Sequence, residues 1–372
     1  MGWTEQAAAR LTLALATTLL ASCGSVTPRD KVPDRDGPDV LNELVQEGAA
    51  RIVSSERAGK GARLVLIDES GQRRADLTEL LAQPSVDLMP AWSPGGRHVA
   101  FASSRGRESP SEWSLWVIDF ATREVQRLTD DAGLDSAPTW SPDGRSIAFA
   151  STRGGDGLDV FRLDLRRGPG GELAPAGLRR LTSLPEDELE PAWSPDGRRI
   201  ALVASQGGTR RLRLMDSDGG GIADLTSGPR DHMPTWSPDG KWIVYAAPAP
   251  ARKDDDLWMV LASGGPPTHL VDDEVGSEAS PSFSVDGRVV LATSLFRDQA
   301  GRPVLSSLVA CDLSETPRRL KGLFDRYPTN RLGVDAAPVP LDLARLAKAP
   351  QYREGLADAL SWLLRRGLEE DK

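Results

Sequence analysis

Three features of the amino-acid sequence predict an all-β chain folded as a ring of four-stranded antiparallel sheets. The stretch Trp-Ser-Pro-Asp-Gly occurs at Trp140 to Gly144, Trp193 to Gly197 and Trp236 to Gly240, with worn copies at Trp92 to Gly96 and Phe283 to Gly287. A Pro stands two residues before each aromatic, at Pro90, Pro138, Pro191, Pro234 and Pro281, so the copies are spaced by 48, 53, 43 and 47 residues. Short runs of β-branched and aromatic residues follow each copy. Repeats of this length mark the blades of a β-propeller, one sheet of four strands per blade.

Each element of the repeat has a local reason. Pro presets φ for a tight turn and Gly accepts the positive φ that closes it, so Ser-Pro-Asp-Gly is a hairpin turn between a first and a second strand. Second strands are expected at Val99 to Ala102, Ile147 to Ala150, Ile200 to Val203, Ile243 to Ala246 and Val289 to Ala292. Third strands follow at Leu115 to Ile118, Val160 to Leu163, Leu212 to Met215, Leu257 to Val260 and Leu308 to Cys311. Fourth strands end in Leu-Thr or a relative, at Leu128, Leu181, Leu225, Leu270 and Leu320. Upstream, Arg51 to Ser54, Arg63 to Ile67 and Ala75 to Thr78 match the second, third and fourth strands of a further blade that lacks its first. Pro328 falls 47 residues after Pro281, and Pro328 to Arg331 is expected to supply that strand. The expected fold is therefore a six-bladed β-propeller closed by the two chain ends, which hides its sheet edges.

The ends read differently from the ring. Arg10 precedes an apolar run, Leu11 to Ala21, that is too short to span a bilayer and ends in Leu20-Ala21-Ser22-Cys23. Residues 1–22 resemble a bacterial lipoprotein signal peptide. The resemblance implies cleavage before Cys23, lipidation of its thiol and, with Gly24 next, an outer-membrane anchor facing the periplasm in a Gram-negative cell. Residues 23–47 are expected to be a flexible tether, rich in Pro, Asp, Lys and Arg, with Val40, Leu41, Leu44 and Val45 on one side of a short helix near its end. The propeller is assigned to 48–333. Residues 334–372 are expected to form a C-terminal helical tail, with helices at Leu341 to Ala347 and Arg353 to Arg366.

The net charge of −9 argues against a nucleic-acid partner, because phosphate binding relies on clustered Lys and Arg. The two cysteines are Cys23 and Cys311; the second sits in an expected strand and reads as a small core residue. Gly-x-Ser-x-Gly, His-Glu-x-x-His and Gly-x-x-x-x-Gly-Lys are absent from the sequence. Of the three histidines, His98 and His269 lie at strand ends and read as structural or solvent-facing, whereas His232, beside Asp231, is placed where it could line the channel mouth. Asp216-Ser-Asp218-Gly reads as a turn rather than a calcium loop, since Ser227 stands where such a loop needs Glu.

One constellation goes beyond the turn chemistry. Three residues before each Pro stand Asp87, Asp135, Glu188, Asp231, Glu278 and Asp325, an acid in every blade. If the first strands are innermost, these carboxylates would ring one mouth of the channel and hold a cation such as Ca2+ or a basic segment of a partner. The alternative is that each caps backbone amides of its own loop. No cofactor is expected beyond such a cation.

The pattern Pro-x-Trp-Ser-Pro-Asp-Gly-Arg/Lys-x-Ile-Ala-Phe/Tyr, followed by Leu-Trp-Val-Ile-Asp and Arg-Leu-Thr, resembles the propeller repeat of the TolB family over about residues 50–332. The resemblance implies a periplasmic propeller of the Tol-Pal envelope system that binds the peptidoglycan-associated lipoprotein over its channel mouth. The α/β domain that precedes the propeller in that family has no counterpart in this sequence. The expectation is thus a non-enzymatic, monomeric, lipid-anchored envelope protein that binds a protein or peptide. The alternatives are a propeller enzyme or glycan- or peptide-processing accessory, and a structural scaffold.

Overall fold

The computed structural model describes residues 38–336 except 48–49, 59–60, 69–73, 78–84, 108, 110, 132, 156, 170, 250–253, 272–276, 298–302, 316–317, 319 and 324–330. The described residues form one helix, α1 (Pro38–Gln46), and 24 strands in six four-stranded sheets. Blade 1 comprises β1 (Ala50–Ala58), β2 (Gly61–Asp68), β3 (Arg74–Asp76) and β24 (Arg331–Ala336). Blade 2 holds β4 (Asp87–Trp92), β5 (His98–Ser103), β6 (Ser114–Asp119) and β7 (Glu124–Arg127). Blade 3 holds β8 (Asp135–Trp140), β9 (Ser146–Ser151), β10 (Asp159–Arg167) and β11 (Leu173–Arg180). Blade 4 holds β12 (Asp187–Trp193), β13 (Arg199–Gln206), β14 (Thr209–Asp216) and β15 (Ala223–Asp224). Blade 5 holds β16 (His232–Trp236), β17 (Trp242–Pro248), β18 (Asp255–Leu261) and β19 (Thr268–His269). Blade 6 holds β20 (Ser277–Phe283), β21 (Val289–Arg297), β22 (Pro303–Asp312) and β23 (Leu320–Leu323). The first strands touch in the cyclic order β24, β4, β8, β12, β16, β20 and back to β24, so they form the inner ring of a closed six-bladed propeller.

The turn chemistry is as the repeat predicts. In blade 3 the Ser141 hydroxyl donates to the Asp143 carboxylate at 2.6 Å, Asp143 accepts the Arg145 amide, and the Ser146 amide donates back to Ser141 Oγ. Gly144 takes φ of 65°, which costs a Gly nothing. The same Ser and Asp bonds recur at Ser194, Ser237 and Ser284. The motif tryptophans are buried between blades: Trp140 Nε1 donates to Ala91 O of the preceding inner strand at 3.1 Å, and Trp236 Nε1 to Ala192 O at 2.9 Å. Trp193 bonds its own turn instead, at Gly197 O.

Closure by the chain ends is observed, but its register differs from the expectation. β24 pairs antiparallel with β1, placing Ile52 opposite Ala336, Val53 opposite Asp335 and Glu56 opposite Arg331. The closing strand therefore lies mostly beyond Pro328 to Arg331 and runs to Ala336; Pro328 itself is outside the described residues. The sequence after this strand carries no Ser-Pro-Asp-Gly motif, so no local signal marks it and pairing with β1 decides its position. Asp335 then clasps the ring: it accepts the Trp92 amide of blade 2 at 2.7 Å and the Ser282 hydroxyl of blade 6 at 2.7 Å.

The segment expected as a tether, 23–47, carries near its end the short helix that the sequence predicts. This helix, α1, buries Val40, Leu41 and Leu44 in one cluster with Val53, Leu64, Leu66 and Leu77 of blade 1 and Trp92, Phe101 and Phe120 of blade 2. An amphipathic turn is stable here because the propeller supplies the apolar surface that an isolated short helix lacks. Cys311 is wholly buried in β22. The expected signal peptide, Cys23 and the helices of the C-terminal tail lie outside the described residues.

Candidate functional site

The inner strands are kinked in a repeated way. Met89, Ala137, Glu190, Met233 and Ser280 all take φ near +50°, each immediately before the Pro of the repeat. At each one the pairing with the second strand slips by a residue, a β-bulge. Left-handed backbone at non-Gly residues is costly and persists where the surroundings over-determine it. The Pro disfavours the right-handed helical region for the residue before it, and the close ring of neighbours supplies the rest.

These half-buried residues, with those at the position before each motif aromatic, form the described inner wall. Their contacts run from strand to strand around the ring. The Met233 amide donates to Glu190 Oε2 at 2.6 Å, the Ser280 amide to Met233 Sδ at 3.2 Å, and the Trp193 amide to Thr139 Oγ1 at 3.3 Å. The wall thus carries two carboxylates, Glu190 and Asp335, beside Met89, Met233, Thr139, Thr235 and Ser280, and no basic side chain among the described residues. The sequence reading did not single out these positions. Their signal was present, as the residues one position before each repeat Pro and one before each aromatic.

Of the six acids singled out from the repeat, the five described ones lie at or beside the start of their inner strands. Asp87, Asp135, Glu188, Asp231 and Glu278 are all buried, and Asp325 lies outside the described residues. Asp87 is held by Ser85, Ser103 and Arg105, whose Nη2 lies 3.0 Å from Oδ2. Asp135 is held by Ser151 and Arg153, each at 2.6 Å. Asp231 accepts the Thr226 hydroxyl, and Glu278 the Ser294 hydroxyl at 2.9 Å. Among the described residues no three His, Cys, Asp or Glu side chains gather as a metal site. Asp87, Asp135, Asp231 and Glu278 thus bond to groups of nearby strands and loops, as a buried carboxylate requires.

Burial shows in their acidities. Burial pushes Asp87 above the usual carboxylate range against the pull of Arg105, and pushes Asp231 up against the Thr226 bond. Glu188 goes furthest, to about 7, driven first by burial and then by the Asp159 and Glu186 charges, with Thr182 opposing.

The histidines are absorbed locally. His232 is buried with Nδ1 2.8 Å from Arg230 O, His98 lies 3.4 Å from Asp119, and His269 Nε2 is 2.8 Å from Asp256. Asp216 to Gly220 is a turn, closed by the Gly219 amide on Asp216 O and the Gly220 amide on Asp218.

A closed ring of six antiparallel blades whose inner strands wall a channel defines a six-bladed β-propeller. The chain belongs to the TolB beta propeller domain family, whose model matches residues 57–266, more than half of the sequence. Among curated relatives, the Tol-Pal system protein TolB of Francisella tularensis subsp. holarctica is 26% identical over 236 residues, covering 62% of this chain and 50% of the relative. This chain spans about half the length of the curated relatives it matches. Among solved structures, TolB from Acinetobacter baumannii aligns with TM-score 0.59 at 19% identity over 80% of this chain and 70% of that one. Kuenenia stuttgartiensis hydrazine synthase aligns with the same TM-score, 0.59, at 15% identity over 85% and 51%. At these identities the structural likenesses establish the fold, which hosts enzymes and non-enzymes alike.

Proposed function

We propose that this chain is a non-enzymatic, lipid-anchored protein of the bacterial envelope whose propeller docks a protein or peptide segment at a mouth of its channel. Membership of the TolB propeller family supports the envelope setting, and the relatives' Tol-Pal names support a protein partner, a peptidoglycan-associated lipoprotein being the first candidate. The observation that carries the docking reading is the inner wall. Glu190 stands there beside the half-buried methionines Met89 and Met233, which suits an inserted segment with a Lys or Arg and an apolar neighbour. Anchoring through Cys23 would leave the ring in the periplasm.

The test is capture from crosslinked envelopes with the full chain, compared with Met89→Trp, which narrows the channel, and Glu190→Lys, which reverses its charge. One stoichiometric partner, lost in both variants at unchanged melting temperature and weakened by salt, is the expected result. A partner retained by both variants, or turnover of an envelope glycan or peptide by the purified chain, overturns the reading. Cys23→Ser should release the protein from membranes with the propeller still folded.

A further inference from the structure

The repeat allows a buried carboxyl group to be compared with its own equivalents in the same molecule. Asp87 faces Ser103 across the first two strands, Asp135 faces Ser151, and two residues later Arg105 and Arg153 turn back onto the same carboxylates. In blade 4 the register places Ala204 opposite Glu188, and Gln206, exposed to solvent, stands where the Arg would be. Glu188 is wholly buried, and neither carboxylate oxygen makes a hydrogen bond of ordinary geometry with a described residue. The charged groups around it are already committed. Asp159 is paired with Arg180 at 2.7 Å, Glu186 with Arg211 and Arg213 at 2.9 Å each, and Asp187 accepts the Leu158 amide at 2.9 Å. Thr182, whose oxygen receives the Val160 amide, is the one hydroxyl that opposes the burial.

Glu188 also sits in the seam between blades 3 and 4. Its amide donates to Leu158 O at 2.7 Å, while the Leu158 amide donates to Asp187, so the two residues form a reciprocal clasp. We propose that Glu188 is a proton-operated release for this seam: neutral, it is tolerated in the closed clasp, and ionised, it drives the clasp open. An unpaired charge in a dry interior is among the costliest arrangements a protein can hold, and opening to water relieves it. Because Glu188 titrates near 7, above its unfolded range, its stabilising contribution is complete below about 4.5 and is lost as pH rises through about 7. The release therefore works across the range an envelope protein meets when its surroundings turn from acidic to mildly alkaline. This inference does not depend on which partner the channel takes.

The test is residue-resolved amide exchange on the full chain between pH 6 and 8. Leu158 and Glu188 should exchange up to about tenfold faster than the general rise with pH accounts for, the limit for ionisation of one group over that range. The Asp135 amide, which donates to Trp113 O in the preceding seam, is the internal control and should show no excess. Glu188→Gln should abolish the excess, and so should Ala204→Ser with Gln206→Arg, which restores the partners of blades 2 and 3. If Glu188→Gln does not fold, the double variant decides. An excess no larger than at Asp135, or one that persists in either variant, overturns the proposal.

Discussion

Blades 3 and 4 are neighbours on one repeat, and each buries a carboxyl group at the start of its inner strand. Blade 3 surrounds Asp135 with a hydroxyl and a guanidinium, and Arg153 in turn stacks 5.2 Å from the Phe149 ring and 5.5 Å from the Phe161 ring. Blade 2 repeats the device with Arg105 over Trp116. In blade 4 the aromatic positions are Leu202 and Arg213, the Ser is Ala204, and the Arg is Gln206. Arg213 is drawn away to Glu186 and Asp224, so Glu188 is left with burial and few partners. The difference shows that one backbone position can be a structural ion pair in one blade and a titrating group in the next, according to residues 16 to 18 positions downstream.

The largest expected effect is in blade 3. Asp135→Ala leaves Arg153 with the exposed Asp131 as its carboxylate partner among the described residues and should cost about 3–5 kcal/mol in urea unfolding at pH 7, the usual penalty for breaking a buried pair from one side. The second change makes blade 2 imitate blade 4. Ser103→Ala with Arg105→Gln should cost roughly 2–4 kcal/mol at pH 7 and less at pH 5, because burial already favours the neutral form of Asp87 and a lower pH favours it further. An equal cost at both pH values would show that the Ser and Arg act by packing alone.

The third change relieves blade 4. Glu188→Gln should stabilise the protein at pH 8 by on the order of 1–3 kcal/mol and be close to neutral at pH 5, since the wild-type group is protonated at the lower value. Melting curves at the two pH values check the sign. The smallest effect concerns the worn turn of blade 2. Gly95→Asp should restore the side-chain bond to Ser93 seen at Asp143 and Asp196, worth about 0.5–1 kcal/mol, and a Cβ at Gly95 meets nothing within 4 Å.

Much of the architecture was legible in short stretches. Ser141, Asp143 and Gly144 each act on neighbours within five residues, so their pattern announces a turn wherever it occurs. The runs after the turns are continuous and apolar, as strands buried on both faces are, and the second to fourth strands of blade 1 were legible without their partner. The inner wall was less so. Glu190 stands at a fixed place before a repeat Pro, but only the curvature of the ring makes the residues before each Pro and each aromatic neighbours of one another.

By itself the sequence determined the repeat, its turns, the number of blades and the closure of the ring by both chain ends, because hydrogen bonds within a hairpin depend on residues a few positions apart. The tertiary structure decided the register of β24, the docking of α1 and the fate of the acids. Each of these rests on groups far apart in the chain. Val53 meets Asp335 across the whole length of the propeller, Leu44 needs two blades beneath it, and Glu188 is pushed up to about 7 first by burial and then by the charges of Asp159 and Glu186.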